Sequence, residues 1–239
     1  MFFLSIVDTV FWIHIAAAVA PAIILLKYVY DQDKIEKEPP YLIWRLIGMG
    51  VLAGLAAIVL ETIGETVLGI FVPENRQEYY ILLAFLVVAC AEEGMKYALM
   101  QKVTWNDPNF NFRYDGIVYA ASTSLGFAAF ENIGYIFRYG LGVAGTRALF
   151  AIPGHLGFSV FMGYFYGRAK LCDNIGDSTR RKRNLVAAYV VPVFLHGFYD
   201  SCAMLNTALS NVLFYVFVIA MYIIVFNLVR HEAATDRAI

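Results

Sequence analysis

The chain has 239 residues, of which 60% are hydrophobic and only 15% are charged. Soluble domains carry roughly 25% charged residues, so this composition excludes an ordinary soluble protein. The formal net charge of -1 gives no information on partners, and we expect no nucleic acid among them. Because the apolar residues come in long blocks, we predict an all-α polytopic membrane protein with about seven transmembrane helices, forming a single domain over residues 1–239.

The first apolar block, residues 2–30, raises the question of a cleaved signal peptide. It contains Ala18-Val19-Ala20, a pattern that signal peptidase accepts, but no basic region precedes it and the apolar sequence continues past Pro21. We therefore interpret it as a retained span. Six further spans are predicted, with the one that begins at residue 147 interrupted by Pro153-Gly154: 41–60, 79–100, 116–137, 147–167, 185–205 and 208–229.

Polar segments separate these spans. Residues 31–40 form a charged loop that ends in two prolines, 101–115 form a polar connector, and 168–184 form a loop with a basic cluster. Residues 61–78 carry several charges around an apolar run that is too short to cross a bilayer, which predicts an external loop or an interfacial helix.

Lysine and arginine positions give the orientation. When the basic cluster at 180–183 is placed in the cytoplasm, only Arg76, Arg138 and Arg147 among the basic residues near the span ends fall outside. We therefore predict an external amino terminus and a cytoplasmic carboxyl terminus.

The third span carries two adjacent carboxylates, Glu92 and Glu93, followed by Lys96. Each ionised group near the centre of a span costs about 2.5–3.5 kcal/mol on insertion scales, and a purely structural helix has no reason to carry that cost. Lys96 is three or four residues after the glutamates and can reach either one on the same helical face. Since it can neutralise only one of them fully, the second requires a proton, another cation or a metal from elsewhere in the fold.

Polar residues at membrane depth also occur in the next three spans. The fourth has Glu131 and Asn132, the fifth has His155, and the sixth has His196 and Asp200. At a helical rise of about 1.5 Å per residue, these acids and histidines fall roughly 7 to 14 Å below the external face, and the glutamate pair lies slightly deeper. Four spans thus present polar groups at nearly one level, which predicts an active site inside the helix bundle.

Two histidines and a carboxylate from separate helices are ligand types used by catalytic zinc sites. We therefore expect a divalent metal, with zinc as the first choice, held by Glu131, His155 and His196. Asp200 follows His196 by four residues and is expected as a further ligand or as the acceptor that orients the imidazole.

The glutamate pair has the catalytic role in this interpretation. Glu92 takes the proton from a metal-bound water and later returns it, while Lys96 holds Glu93 ionised and in place. A metal-free mechanism stays open, in which a glutamate deprotonates water directly while the histidines, with Asn132 or Asp200, stabilise the oxyanion.

Two other functions fit the same residues. Chains of Asp, Glu and His also serve proton-coupled transporters and channels, although the two halves of this sequence show no internal repeat of the kind found in many transporter folds. A catalytically idle protein that binds a membrane partner is the second alternative. A single intramembrane histidine such as His14 is interpreted as a packing residue.

At these residues the sequence resembles the PrsW family of intramembrane proteases, within a larger group that includes the CAAX prenyl endopeptidases and the bacteriocin-processing membrane enzymes. The resemblance covers about residues 28–203. It rests on four motifs in order: Glu92-Glu93 with Lys96, Phe127 with Glu131-Asn132, His155, and His196 with Asp200.

The resemblance implies proteolysis of a membrane-anchored protein, with an anti-sigma factor as the typical substrate and release of a stress response as the result. It implies a catalytic acid/base role for Glu92 and Glu93, and places His155 and His196 in the active site. The expected partners are therefore this protein substrate and the lipid bilayer, and the resemblance implies the plasma membrane of a bacterium or archaeon.

Overall fold

The computed structural model describes residues 2–239, with side chains from residue 9 onward. Over this range the chain folds into seven long helices, which confirms the predicted all-α bundle. They are α1 (Phe2–Gln32), α2 (Pro40–Phe71), α3 (77–104), α4 (Asp115–Tyr139), α5 (Leu141–Asn174), α6 (Ser178–Leu205) and α7 (Ala208–Ala234).

Five of these helices are long and apolar enough to cross a membrane by length and composition alone. The other two are α3, which holds the Glu92-Glu93 pair and Lys96, and α4, which holds small polar residues. Every residue of α4 from Asp115 to Ala128 is buried inside the bundle. Polar groups are tolerated there because neighbouring helices, rather than lipid, surround them.

Helix α4 is central to the packing, since it lies against α1, α2 and α5, while α5 lies in turn against α6. Glycines permit the closest approach. A Cβ atom added to Gly116 of α4 would lie 2.6 Å from the Gly163 carbonyl oxygen of α5, and one added to Gly163 would lie 2.4 Å from the Gly116 carbonyl oxygen. Because lipid tails are as apolar as the helices, such close contacts supply much of the association energy in a bilayer.

The segment 61–71 is helical and continues α2, so the prediction of a loop or separate interfacial helix there is wrong. The segment contains no proline, the next one being Pro73, and charged residues alone do not end a helix. With 32 residues, α2 is about 48 Å long, whereas the hydrocarbon core is about 30 Å thick. The charged end of α2 therefore has room to extend beyond the core.

The prediction of a loop at 168–184 is also wrong, because α5 and α6 extend into this segment and leave only residues 175–177 between them. Gly176 adopts a φ of +75°, which ends the first helix. The Asp177 carboxylate then caps α6 by accepting a hydrogen bond from the Arg180 amide at 2.9 Å.

The charged loop between α1 and α2 folds against the bundle instead of extending into solvent. Asp33 and Glu38 are each only 3% exposed, and the Tyr30 hydroxyl donates to the Glu38 carbonyl oxygen at 2.8 Å. Burial raises the pKa of the Glu38 carboxyl to about 7. Helix α2 then begins at Pro40, a position that suits proline because the amide there needs no intrahelical partner.

The connector between α3 and α4 is tied to the end of the chain. The Asp115 carboxylate accepts the amides of Asn111 at 3.0 Å and Phe112 at 2.7 Å, which fixes the start of α4. The Asp236 carboxylate accepts the Tyr114 amide at 2.9 Å. The carboxyl-terminal segment therefore holds one end of the central helix in place.

The contact between Gly116 and Gly163 predicts that Gly116→Ala destabilises the protein. Overpacking of a tight contact costs about 1–3 kcal/mol, and the added methyl group would push α4 away from α5. Gly134→Ala, in the same helix, is the matched control, because a Cβ there meets no atom within 4 Å. Thermal unfolding in detergent would measure both variants, and equal melting temperatures would show that the glycine contact does not set the helix spacing.

Candidate active site

Two π-helical turns precede the polar residues of the site. One covers Leu83–Ala89, just before the Glu92-Glu93 pair, and the other covers Arg147–Ala151, just before His155. The chain stays helical through Pro153, contrary to the predicted interruption, because this proline lies in the first turn after the second π-helical segment. Such wide turns are frequent at functional sites, where they change the direction in which side chains point.

Lys96 bonds to both glutamates rather than to one of them. Its Nζ atom donates to Glu92 Oε2 at 2.9 Å and to Glu93 Oε1 at 2.8 Å, and it lies 3.1 Å from His155 Nδ1. The ammonium also lies 3.9 Å from the centroid of the Phe127 ring. The lysine and Glu93 are fully buried and Glu92 is 6% exposed. One ammonium is therefore shared by two carboxylates in the interior of the bundle.

The two histidines face each other across the site, with ring centroids 5.5 Å apart. The Nε2 atom of His155 lies 3.0 Å from Glu131 Oε2 of α4. The Nδ1 atom of His196 lies 2.9 Å from Glu93 Oε1, and its Nε2 atom lies 3.3 Å from Asp200 Oδ2. The structure thus brings together the carboxylates and imidazoles of four different helices.

These contacts indicate which ring nitrogens carry protons. The Lys96 ammonium can only donate, so the His155 Nδ1 atom accepts and its Nε2 atom donates to Glu131. Both nitrogens of His196 face carboxylate oxygens, an arrangement in which each nitrogen donates. Glu93 consequently lies between two donors, Lys96 and His196.

Arg147 is a site residue that the sequence analysis missed. Its Nη2 atom donates to Glu131 Oε2 at 2.9 Å, its Nε atom donates to Asn132 Oδ1 at 2.7 Å, and its guanidinium lies 3.8 Å from the centroid of the Tyr135 ring. Asn132 is fully buried and donates to the Ala18 carbonyl oxygen of α1 at 2.7 Å. Both groups of the Asn132 amide are therefore used in positioning Arg147. The available signal was an arginine at the start of an apolar span, on the side with few basic residues.

A cavity of about 480 Å³ contains the site and is lined by residues of six helices, α2 to α7. Its lining includes Glu92 but neither Glu93 nor Lys96, so the two adjacent glutamates differ in their access to the cavity. Glu61 and Glu65, which the sequence analysis assigned to an external segment, also line it from α2. A liquid water molecule occupies about 30 Å³, so the cavity has room for water and for part of a peptide.

The arrangement also suits a metal ion. Glu92, His155 and His196 each offer a ligand atom, and the three atoms lie within 4.8 Å of one another. Two imidazoles and a carboxylate are the donor types of a catalytic zinc site. The other two expected ligands, Glu131 and Asp200, lie against the Nε2 atoms of His155 and His196 respectively.

Known proteins with similar sequences share one family. The model of the PrsW family of intramembrane metalloproteases matches residues 38–227. The chain is 37% identical to protease PrsW of Oceanobacillus iheyensis over 78% of this chain and 80% of that protein. It is 33% identical to protease PrsW of Bacillus subtilis, over 92% of this chain and 94% of that protein. No solved structure matches the chain.

The shared ammonium predicts that Lys96→Met destabilises the protein strongly. Removing one partner of a buried ion pair costs about 3–5 kcal/mol, because the remaining charge stays buried without compensation. Adding Glu93→Gln to this variant should recover part of the loss, since it removes one of the unpaired carboxylates.

Lys102→Met is the matched control, because Lys102 belongs to the same helix and is exposed. The free energy of unfolding of all variants would be measured in detergent with denaturant. A Lys96→Met variant as stable as the Lys102→Met control would contradict the view that the ammonium holds the two glutamates together.

Proposed function

The chain belongs to the PrsW family of intramembrane metalloproteases, and we propose that it cleaves a peptide bond in a membrane-anchored regulatory protein. The observation that carries this proposal is the position of Glu92, whose carboxylate faces the cavity beside two imidazoles. The sequence resemblance suggests an anti-sigma factor as the class of substrate. Family membership disfavours the transporter alternative.

Glu92 is the proposed general base. Its Oε2 atom is bonded to Lys96, while its Oε1 atom has no hydrogen-bond partner among the side chains from residue 9 onward and is free to bind water. Glu92 takes a proton as water attacks the peptide carbonyl, and passes that proton to the amine when the C–N bond breaks. Glu93 has no access to the cavity, so we assign it the role of holding His196 and Lys96.

Donors are needed for the carbonyl oxygen as it gains negative charge. The Arg147 guanidinium lines the cavity and has further N–H groups besides the two that it donates to Glu131 and Asn132. Glu131 and Asn132 orient Arg147. These contacts hold the donors before the substrate arrives, which limits the reorganisation required in the transition state.

The side chains of the cavity fit a divalent ion, as the family description implies. We assign His155 and His196 as its ligands together with Glu131 and Asp200, whose carboxylates lie at the Nε2 atoms of the two rings. An ion held there would replace the protons that these Nε2 atoms donate to the carboxylates. Glu93, at the Nδ1 atom of His196, corresponds to the carboxylate that commonly orients a metal-binding imidazole. When bound, such an ion lowers the pKa of water and polarises the carbonyl group.

Metal analysis of purified protein would test this assignment. We expect about one zinc or similar ion per chain in the wild type, and loss of the ion in the His155→Ala/His196→Ala variant. His14→Ala/His231→Ala is the matched control, because these histidines lie outside the cavity. If the wild type stays free of metal after zinc is added back, the metal-independent glutamate mechanism replaces this proposal.

Replacement of the two glutamates should separate their roles. Glu92→Gln should reduce cleavage at least a hundredfold, because general acid–base catalysis contributes about 10²–10⁴-fold. Proteomics would identify new amino termini in membranes from cells that express the wild type or Glu92→Gln. This comparison detects the cleavage products even while the substrate is unidentified. The control Glu78→Gln changes an exposed glutamate outside the cavity. Identical products with Glu92→Gln and with the wild type would refute the role of Glu92.

A further inference from the structure

A second cavity, of about 540 Å³, shares no lining residue with the active site. It is bounded by α1 and α2, with α4 as its floor, and we call it the α1–α2 groove. Helices α1 and α2 each pack against α4 but make few contacts with one another, which leaves the groove between them. Ile23 and Leu26 of α1, Ile43 and Ile47 of α2 and Ala129 of α4 give it apolar walls.

The length of the α1–α2 groove matches one leaflet of a bilayer. Its lining on α1 runs from Val19 to Asp31, which at about 1.5 Å per residue is roughly 18 Å. Half of the hydrocarbon core is about 15 Å thick. Trp44, which is 71% exposed, and Tyr30 lie at the end of the groove where α1 ends and α2 begins. Aromatic residues of this kind mark the level of the lipid head groups.

At the same end, the lining of the groove contains one cationic and one anionic side chain. Lys37 of the following loop lies beside them, 4.5 Å from the centroid of the Tyr30 ring. Lys27 and Asp31 are four residues apart on α1, with Nζ and Oδ2 2.5 Å apart, and their side chains are 72% and 49% exposed. Lys27 lies about 6 Å nearer than Asp31 to the apolar part of the groove, since the two are about one helical turn apart. The groove thus presents an apolar wall, then a cation, then an anion.

We propose that the α1–α2 groove binds a zwitterionic phospholipid with a primary amine head group, of the phosphatidylethanolamine type. Its acyl chain lies along the apolar wall, its phosphate binds Lys27, and its outer ammonium binds Asp31. The order of charges in the lipid, from acyl chain to phosphate to amine, is the complement of the order in the groove. A phosphatidylglycerol head group has the phosphate but no cation to pair with Asp31, and a quaternary amine has no N–H to donate to it.

Native mass spectrometry of the full chain would test this assignment. The protein, delipidated in detergent, would be mixed with equimolar dioleoyl phosphatidylethanolamine, phosphatidylglycerol and phosphatidylcholine. We expect about tenfold more bound ethanolamine lipid than either competitor. This is the preference expected when Lys27 and Asp31, both partly exposed, pair with the phosphate and the ammonium of one lipid. The swapped variant Lys27→Asp/Asp31→Lys should lose this preference, because it reverses the order of the charges.

Two further variants locate the site. Ala129→Phe should fill the floor of the groove and reduce lipid binding, whereas Val216→Phe, on the exposed surface of α7, should not. Asp173→Asn/Arg181→Gln removes an ion pair outside the groove and should keep the lipid preference. Equal binding of the three lipids, unchanged selectivity in the swapped variant, or full binding by Ala129→Phe would each overturn the proposal.

Discussion

The sharing of one ammonium by two buried carboxylates constrains the rest of this structure. Lys96 contacts Glu92, Glu93 and His155, so α3 and α5 must meet at this depth. Glu93 in turn bonds to His196, which brings in α6. Charges buried this deeply are stable only when such contacts are all made, and loss of one leaves others uncompensated. The same ion pairs and hydrogen bonds therefore determine both the geometry of the candidate site and the packing of α3, α5 and α6.

Sequence reasoning predicts the bundle and much of the polar set, because apolar runs of span length and polar residues at one depth are both visible in the sequence. It fails at helix ends: charged residues at 61–71 and around Arg180 lie in helices, since charge does not break a helix without glycine or proline. It also fails for Arg147, because its partners Glu131 and Asn132 are in another helix and only the tertiary contact identifies it.

Burial distinguishes two glutamates that are neighbours in the sequence. Spacing from Lys96 cannot separate them, since positions three and four residues apart both lie on the face of the lysine. In the fold, Glu92 lines the cavity whereas Glu93 is fully buried between Lys96 and His196. A carboxylate with two charged donors is held in one position, and one with a free oxygen at a cavity can exchange protons with water. The chemical difference therefore arises from the packing of α6 and not from the local sequence.

Helix α1, the least buried of the five candidate spans, is also connected to the site. The Ala18 carbonyl of α1 accepts from Asn132, which accepts from Arg147, and Arg147 donates to Glu131 beside His155. These bonds join α1 to the His155 imidazole through groups that are mostly buried. Movement of α1 relative to α4 would break the bond to Asn132, which is one of the groups that position Arg147. Because α1 also forms one wall of the α1–α2 groove, the same helix supports both that groove and, through Asn132, the candidate active site.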